Sequence, residues 1–211
     1  MPDLPGDGEG SPPAKIALRS QLITARRHLT PETRLAAATQ LQDQILACVR
    51  REHPSTIAAY VPVGTEPGGS DLPEFLAAHA RVLLPILLPD GDLDWVAYEG
   101  PSSLIEGPRG LREPTGPRLG VTTIESADLI LVPALAVDRR GIRLGRGGGS
   151  YDRALARLIS DIPGGRRLVV ALLHDGELID HVPAEPHDQP VDAVITPSGG
   201  FRLRPATEWT K

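Results

Sequence analysis

Residues 128–155 read DLILVPALAVDRRGIRLGRGGGSYDRAL, and three kinds of sequence meet inside them. DLILVPALAV (128–137) is almost unbroken apolar sequence. Gly141, Gly145, Gly147, Gly148 and Gly149 then fall within nine residues, and a helical pattern starts near Ser150. A buried strand, a glycine-rich loop and a helix in that order form the repeating unit of an α/β sheet. Glycine loses the most conformational freedom on folding, so this many glycines need a purpose. One purpose is a phosphate cradle, in which backbone N–H groups and a helix N-terminus close on an anion. Arg143 and Arg146 supply guanidiniums that suit phosphate oxygens, Ser150 is placed to cap the helix, and Asp152 suits its first turn. The other purpose is a tight turn with an exposed cap. The loop matches no named motif: no Gly-Lys-Ser/Thr closes it as in a P-loop, and Ser150 stands where a dinucleotide fingerprint needs glycine.

Outward from this stretch, helices and strands alternate. Residues 14–29 form a helical pattern with Leu18, Leu22, Ala25 and Leu29 on one face and Lys15 and Arg19 four apart on another. Such a basic pair ordinarily forms a solvated face. Thr30-Pro31-Glu32 opens a second helix, with Thr30 as cap and Pro31 at its first position. Leu35, Ala38, Leu41, Ile45 and Val49 carry it to about residue 50. TIAAYVPV (56–63), RVLLPILL (81–88), DLDWVAYE (92–99), DLILVP (128–133), RRLVVALL (166–173) and VDAVIT (191–196) read as strands. Helices are expected at 71–80, capped by Ser70 or Asp71, and near 150–160, while 100–122 holds no clear element. Strands apolar on both faces belong to a covered parallel sheet. The expected fold is therefore a three-layer α/β sandwich with a mostly parallel central sheet, Rossmann-like and doubly wound. Its ligand site lies at the carboxyl ends of the strands, where the glycine loop and the loops after residues 60 and 173 gather.

The 211 residues fit one domain, 14–211, behind a Pro-, Gly- and acid-rich leader at 1–13 that reads as disordered. A net charge of -5 leaves no general basic footprint for nucleic acid. No stretch approaches the ~20 apolar residues of a membrane span. MPDLPGDGEGSPP has neither the basic nor the apolar region of a secretory signal, so a cytoplasmic protein is expected. The single cysteine, Cys48, excludes an internal disulfide and reads as a small buried hydrophobe. His174, Asp175, His181, His187 and Asp188 share one long polar connection, but their spacing fits no zinc signature; the histidines read as solvated loop residues. Nothing forms a Ser/His/Asp triad.

The stretch VPALAVDRRGIRLGRGGGSYDRAL resembles the signature of the 5-formyltetrahydrofolate cyclo-ligase family, the methenyltetrahydrofolate synthetases. KIALR at the first helix, AAYVPVGTE, LDWVAY, GLREP and HDQPVDAVIT resemble its other landmarks in order, over about residues 15–197. The resemblance implies conversion of 5-formyltetrahydrofolate and ATP to 5,10-methenyltetrahydrofolate, ADP and phosphate, with Mg2+. ATP would phosphorylate the formyl oxygen, and N10 would then attack the activated carbon, so no protein nucleophile is needed. It implies that Lys15 and Arg19 contact ATP phosphates, and that Arg143, Arg146 and the backbone of Gly145, Gly147, Gly148 and Gly149 cradle them. Ser150 and Tyr151 would line the shared ligand pocket, and Val61 and Glu66 would meet the folate. Asp152 and Asp188, the latter rather than His187, would hold Mg2+. Ser150 stands where the family usually has tyrosine, Val137 where phenylalanine is common and Arg146 where tyrosine is common. The family's small members imply a monomer. The alternative is a non-catalytic or diverged ATP-binding protein of the same fold.

Overall fold

The computed structural model describes residues 13–107, 112–158 and 167–204. The expected leader, apart from Pro13, lies outside them, as do parts of the GLREP landmark and of the expected 150–160 helix. Helix α1 spans Pro13–Arg27 and α2 spans Pro31–Glu52. Thr30 caps α2 as its sequence requires: its side chain accepts from the Thr33 N–H at 3.2 Å. Leu41, Ile45, Cys48 and Val49 form the buried face of α2. Leu35, expected to continue that face, is 71% exposed.

The central sheet contains β1 (Thr56–Ala58), β2 (Arg81–Leu87), β3 (Leu93–Ala97), β6 (Leu129–Pro133), β9 (Leu168–Leu172), β11 (Ala193–Thr196) and β12 (Gly200–Leu203). Their order is β12-β11-β9-β6-β1-β2-β3. The inner pairs β2/β1, β1/β6, β6/β9 and β9/β11 are parallel. Each edge is closed by an antiparallel hairpin partner, β3 on β2 and β12 on β11. The mostly parallel α/β sandwich is thus as expected. Alternation splits the strands cleanly. Ile57, Leu129, Leu131, Val170 and Ile195 face α2 and the short helix α3 (Leu72–Ala77). Ala58, Leu83, Ile130, Val132, Ala171 and Val194 face Trp95, Ile124 and the helix α4 (Ser150–Leu155). Each fully buried Leu or Ile of these faces contributes roughly 1.5–3 kcal/mol, so the two apolar layers dominate the stability.

Several elements depart from the sequence reading. Strand β1 ends at Ala58, not 63: Pro62 cannot donate to a ladder, and the chain peels away to form the site. Residues 100–122 contain a hairpin of β4 (Leu104–Glu106) and β5 (Arg112–Pro114), a 3-10 turn at Pro101–Ser103 and the start of another at Val121–Ser126. The apolar run at 128–137 is two strands: β6, then β7 (Ala136–Asp138), which pairs with β8 (Arg143–Leu144) and β10 (Leu178–Ile179) in a second small sheet. VDAVIT is not the last strand, because the turn at 197–199 returns the chain as β12. Leu18, Leu22 and Ile23 of α1 pack on the second sheet through Leu135, Ala136, Leu144 and Val182.

The chain leaves β1 toward β2 on one side and returns as β6 on the other. That reversal opens a crevice beyond the carboxyl ends of β1 and β6, the usual ligand position in such sheets. Among the described residues, no helix is long and apolar enough to cross a membrane.

Candidate active site

The glycine loop hangs from a turn organised by Asp138, which is 1% exposed. Its carboxylate accepts from the N–H of Arg140 at 2.9 Å, of Ile142 at 3.1 Å and of Val182 at 3.1 Å, and from the Arg140 guanidinium at 2.7 Å. This fixes β7 against β8 and aims the chain from Arg143 toward the β1/β6 crevice. Gly147 has φ +107°, a region that L side chains rarely adopt, and a Cβ on Gly145 would press on Arg143 Nη1 at 2.8 Å. Gly148 differs: the nearest atom to an added Cβ is Ser150 Oγ at 3.7 Å, so its space opens toward the site. Gly149, not Ser150, occupies the N-cap of α4, with φ +67°. Ser150 is the first helical residue because a left-handed glycine makes the turn one position earlier.

Four cations and four carboxylates converge here. Arg143 is 5% exposed; its Nη2 donates to Asp152 Oδ1 at 3.0 Å and its Nη1 to the Pro133 carbonyl at 3.3 Å. Asp152 Oδ1 also accepts from the Gln189 N–H at 3.1 Å, the residue after Asp188. Lys15 is 3% exposed and donates to Asp188 Oδ2 at 2.7 Å and Glu185 Oε2 at 2.8 Å. Burial opposes the Lys15 charge, but the hydrogen bonds to Asp188 and Glu185 outweigh it and hold the ammonium above its ordinary value. Arg19 Nε donates to the Gly145 carbonyl at 3.0 Å. Arg146 Nε donates to Glu66 Oε1 at 3.0 Å, while Glu66 Oε2 accepts from the Val63 N–H at 3.0 Å.

Lys15 and Arg19 therefore do not form a solvated face. Helix α1 turns them inward, together with Arg26, while Ile16 is exposed. A buried guanidinium or ammonium is tolerated only when paired. Arg26 meets this with a bidentate pair to Glu177 at 2.6 and 2.8 Å and a bond to the Ala134 carbonyl at 2.6 Å. Glu177 also accepts from the His174 N–H at 2.7 Å, and His174 Nε2 lies 3.0 Å from the Thr65 carbonyl. His174 is buried, which corrects the reading of that histidine as solvated; the loop after β9 is pinned to the loop carrying Glu66. The Arg26–Glu177 pair was missed in the sequence. Its signal is Arg26 falling on the Lys15/Arg19 face, three turns on from Lys15.

Some buried polar atoms remain unspent. Among the described residues, Arg143 Nε, Arg19 Nη1 and the Tyr151 hydroxyl are buried without a hydrogen-bond partner. The Arg143 guanidinium lies 5.8 Å from the Tyr151 ring centre. Burial, with the charge of Glu66, pushes the Tyr151 hydroxyl above its ordinary range against the pull of Arg143, so this phenol stays protonated and available as a donor. Val61 is nearly covered in the segment that follows β1, beside Tyr60, whose hydroxyl donates to the Pro67 carbonyl at 2.7 Å. Unpaired, buried cationic donors around a glycine loop fit an anionic phosphate chain. Glu185, His187 and Asp188 place ligand atoms within 4.8 Å of one another, and Asp152 reaches the same corner through Gln189. Carboxylate oxygens of this kind fit a hard divalent cation.

The chain is similar to proteins of one family along most of its length. The model of the 5-formyltetrahydrofolate cyclo-ligase family matches residues 12–197. A 5-formyltetrahydrofolate cyclo-ligase of Mycolicibacterium smegmatis is 42% identical over 197 residues, 90% of this chain and 97% of that one. One from Escherichia coli K12 is 32% identical over 176 residues, covering 82% and 94%. Among solved structures, the NMR structure of Aquifex aeolicus 5,10-methenyltetrahydrofolate synthetase superposes with a TM-score of 0.74 at 26% identity, over 90% of this chain and 92% of that one.

Proposed function

The chain belongs to the 5-formyltetrahydrofolate cyclo-ligase family, and from that premise we propose that it cyclises 5-formyltetrahydrofolate to 5,10-methenyltetrahydrofolate at the expense of ATP. The observation that carries the nucleotide half is the set of unspent donors, Arg143 Nε and Arg19 Nη1, buried beside the glycine loop. The formyl oxygen is a poor leaving group. Its attack on the γ-phosphorus releases ADP and converts it to a good one; N10 then attacks the formyl carbon and phosphate leaves. The protein holds two ligands in line and balances charge.

Arg143, Arg19, Lys15 and the loop backbone from Gly145 to Gly149 receive the phosphates. Arg146 and Glu66, paired at 3.0 Å, mark the seam between the nucleotide and folate sides. Val61, Ser150 and Tyr151 line that seam, and the Tyr151 hydroxyl donates into it. Asp152 and Asp188 are the residues that would hold Mg2+, whose contribution when bound is to neutralise phosphate charge. Ser150 in place of an aromatic leaves the pocket wall to Tyr151. The reading extends to a cytoplasmic monomer consisting of one catalytic domain.

The test is a steady-state assay of the purified protein with Mg2+, ATP and 5-formyltetrahydrofolate, followed by the near-ultraviolet absorbance of the methenyl product. ATP-dependent product is expected. ATP binding without product would overturn the assignment in favour of a diverged nucleotide-binding protein.

A further inference from the structure

Three of the four cations assigned to phosphate are already engaged with carboxylates: Lys15 with Asp188 and Glu185, Arg143 with Asp152, and Arg146 with Glu66. Two of these carboxylates, Asp188 and Asp152, are the ones assigned to the metal. We propose that metal and nucleotide enter this site as one coupled event, by exchange of ion pairs, with Lys15 holding the cation position between Glu185 and Asp188 until they arrive. The inference rests on the nucleotide and metal assignments above.

The physics is that of buried pairs. Lys15 and Asp188 are both nearly covered, at 3% and 6% side-chain exposure, and Nζ lies 2.7 Å from Oδ2. A divalent cation arriving alone must displace this ammonium and strand it among other cations. A triphosphate arriving alone must take Lys15 and Arg143 from their partners and leave Asp188, Glu185 and Asp152 uncompensated beside a second anion. Breaking a buried pair from one side is the costly case. When both arrive, every charge finds a new partner: ammonium and guanidinium go to phosphate, carboxylates to metal. Arg143 Nε and Arg19 Nη1, which have no partner to give up among the described residues, supply the first contacts. The free energy of exchange appears as positive coupling, equal in both directions.

The test uses Mn2+ alone as the probe, on the full chain without nucleotide, with binding read by electron paramagnetic resonance of the free ion. Lys15→Met and Lys15→Gln are expected to bind Mn2+ at least about tenfold more tightly than wild type, and adding Asp188→Asn to Lys15→Met removes the gain. Unchanged Mn2+ affinity in folded Lys15 variants overturns the exchange. If those variants do not fold, the wild type decides. The chain has two lysines, Lys15 and Lys211, so 15N-lysine labelling yields two ammonium signals. The Lys15 signal is expected to stay in place with Mg2+ alone and to move with Mg2+ plus a non-hydrolysable ATP analogue. Movement with Mg2+ alone, or none with both, overturns the proposal. Coupling without cyclisation would retain the exchange and remove the folate assignment; cyclisation without the gain in Mn2+ affinity would do the reverse.

Discussion

Arg143 and Asp152 are nine residues apart and meet at 3.0 Å, the guanidinium on β8 donating to the carboxylate in the first turn of α4. The glycine loop between them is therefore a closed ring whose two ends carry opposite charge. Asp152 also receives the Gln189 amide, which ties that ring to the connection bearing Asp188. Asp152→Asn keeps the hydrogen-bond acceptor and removes the charge. It is expected to lower kcat/KM about a hundredfold at fixed Mg2+ and, because the buried Arg143 guanidinium loses its counter-charge, to lower stability by about 3 kcal/mol. Steady-state kinetics across a Mg2+ titration, beside urea unfolding, separates the two; an unchanged Mg2+ dependence would remove Asp152 from the site.

Two glycines of the loop should fail differently. Gly147→Ala forces a side chain onto φ +107° and should destabilise the fold by about 1–2 kcal/mol. Gly148→Leu meets no crowding at its Cβ and should leave the melting temperature nearly unchanged, yet raise KM for ATP by about tenfold or more as the side chain fills the cradle. Thermal melts and ATP titrations of both variants check the contrast, and a Gly148→Leu enzyme with normal ATP use would end the cradle reading.

The Arg26–Glu177 pair lies wholly inside the protein, whereas Arg51–Glu52 sits at the surface with 48% and 26% side-chain exposure. Glu177→Gln leaves a buried guanidinium without its counter-charge and should cost about 3–5 kcal/mol. Glu52→Gln should change stability by less than about 0.5 kcal/mol. Urea midpoints of both variants against wild type decide; equal effects would mean that burial does not govern these pairs.

Asp128 directly precedes β6 and accepts from the Ser55 N–H, the Ser55 hydroxyl and the Thr56 N–H, at 2.8, 2.6 and 3.0 Å. Partial burial works against its charge, but these bonds, with Arg167, outweigh it and hold the carboxyl below its ordinary 3.8. A folded value below the unfolded one means that the stabilisation is complete above pH 3.8 and is lost as pH falls through the folded value. Asp128→Asn should therefore be less stable than wild type near neutrality, with a smaller gap below pH 3.8 than at neutral pH. Urea unfolding at the two pH values tests this, and a gap that stays constant would contradict it.

The central sheet was readable because apolar runs such as DLILVP and VDAVIT carry enough buried area to form strands wherever they are placed, and parallel pairing needs them covered on both faces. The Thr30 cap and the glycine loop were readable because caps and positive-φ turns depend on neighbouring residues alone. Weak elements were not. β7, β8 and β10 are two or three residues long, and contacts distant in sequence hold them together: the Asp138 carboxylate reaching residues 140, 142 and 182, and Leu18, Leu22 and Ile23 of α1 packed on the small sheet. Strand β12 has no pattern of its own; it exists because β11 offers it an open edge.

The chemistry of the site divides along the same line. Gly145, Gly147, Gly148, Gly149, Arg143 and Asp152 were fixed by local order along the chain, which sets which backbone amides and charges surround one loop. Lys15 and Arg19 read by themselves as an ordinary wet helix face. Whether a cation on a helix is solvated or buried depends on what packs against it, and only the folded chain brings Glu185 and Asp188, some 170 residues away, against Lys15. The sequence by itself determined the sheet, the loop and the kinds of charge available. The tertiary structure alone decided which charge meets which, because ion pairing depends on distance in space and burial, and neither is written in the spacing of residues along the chain.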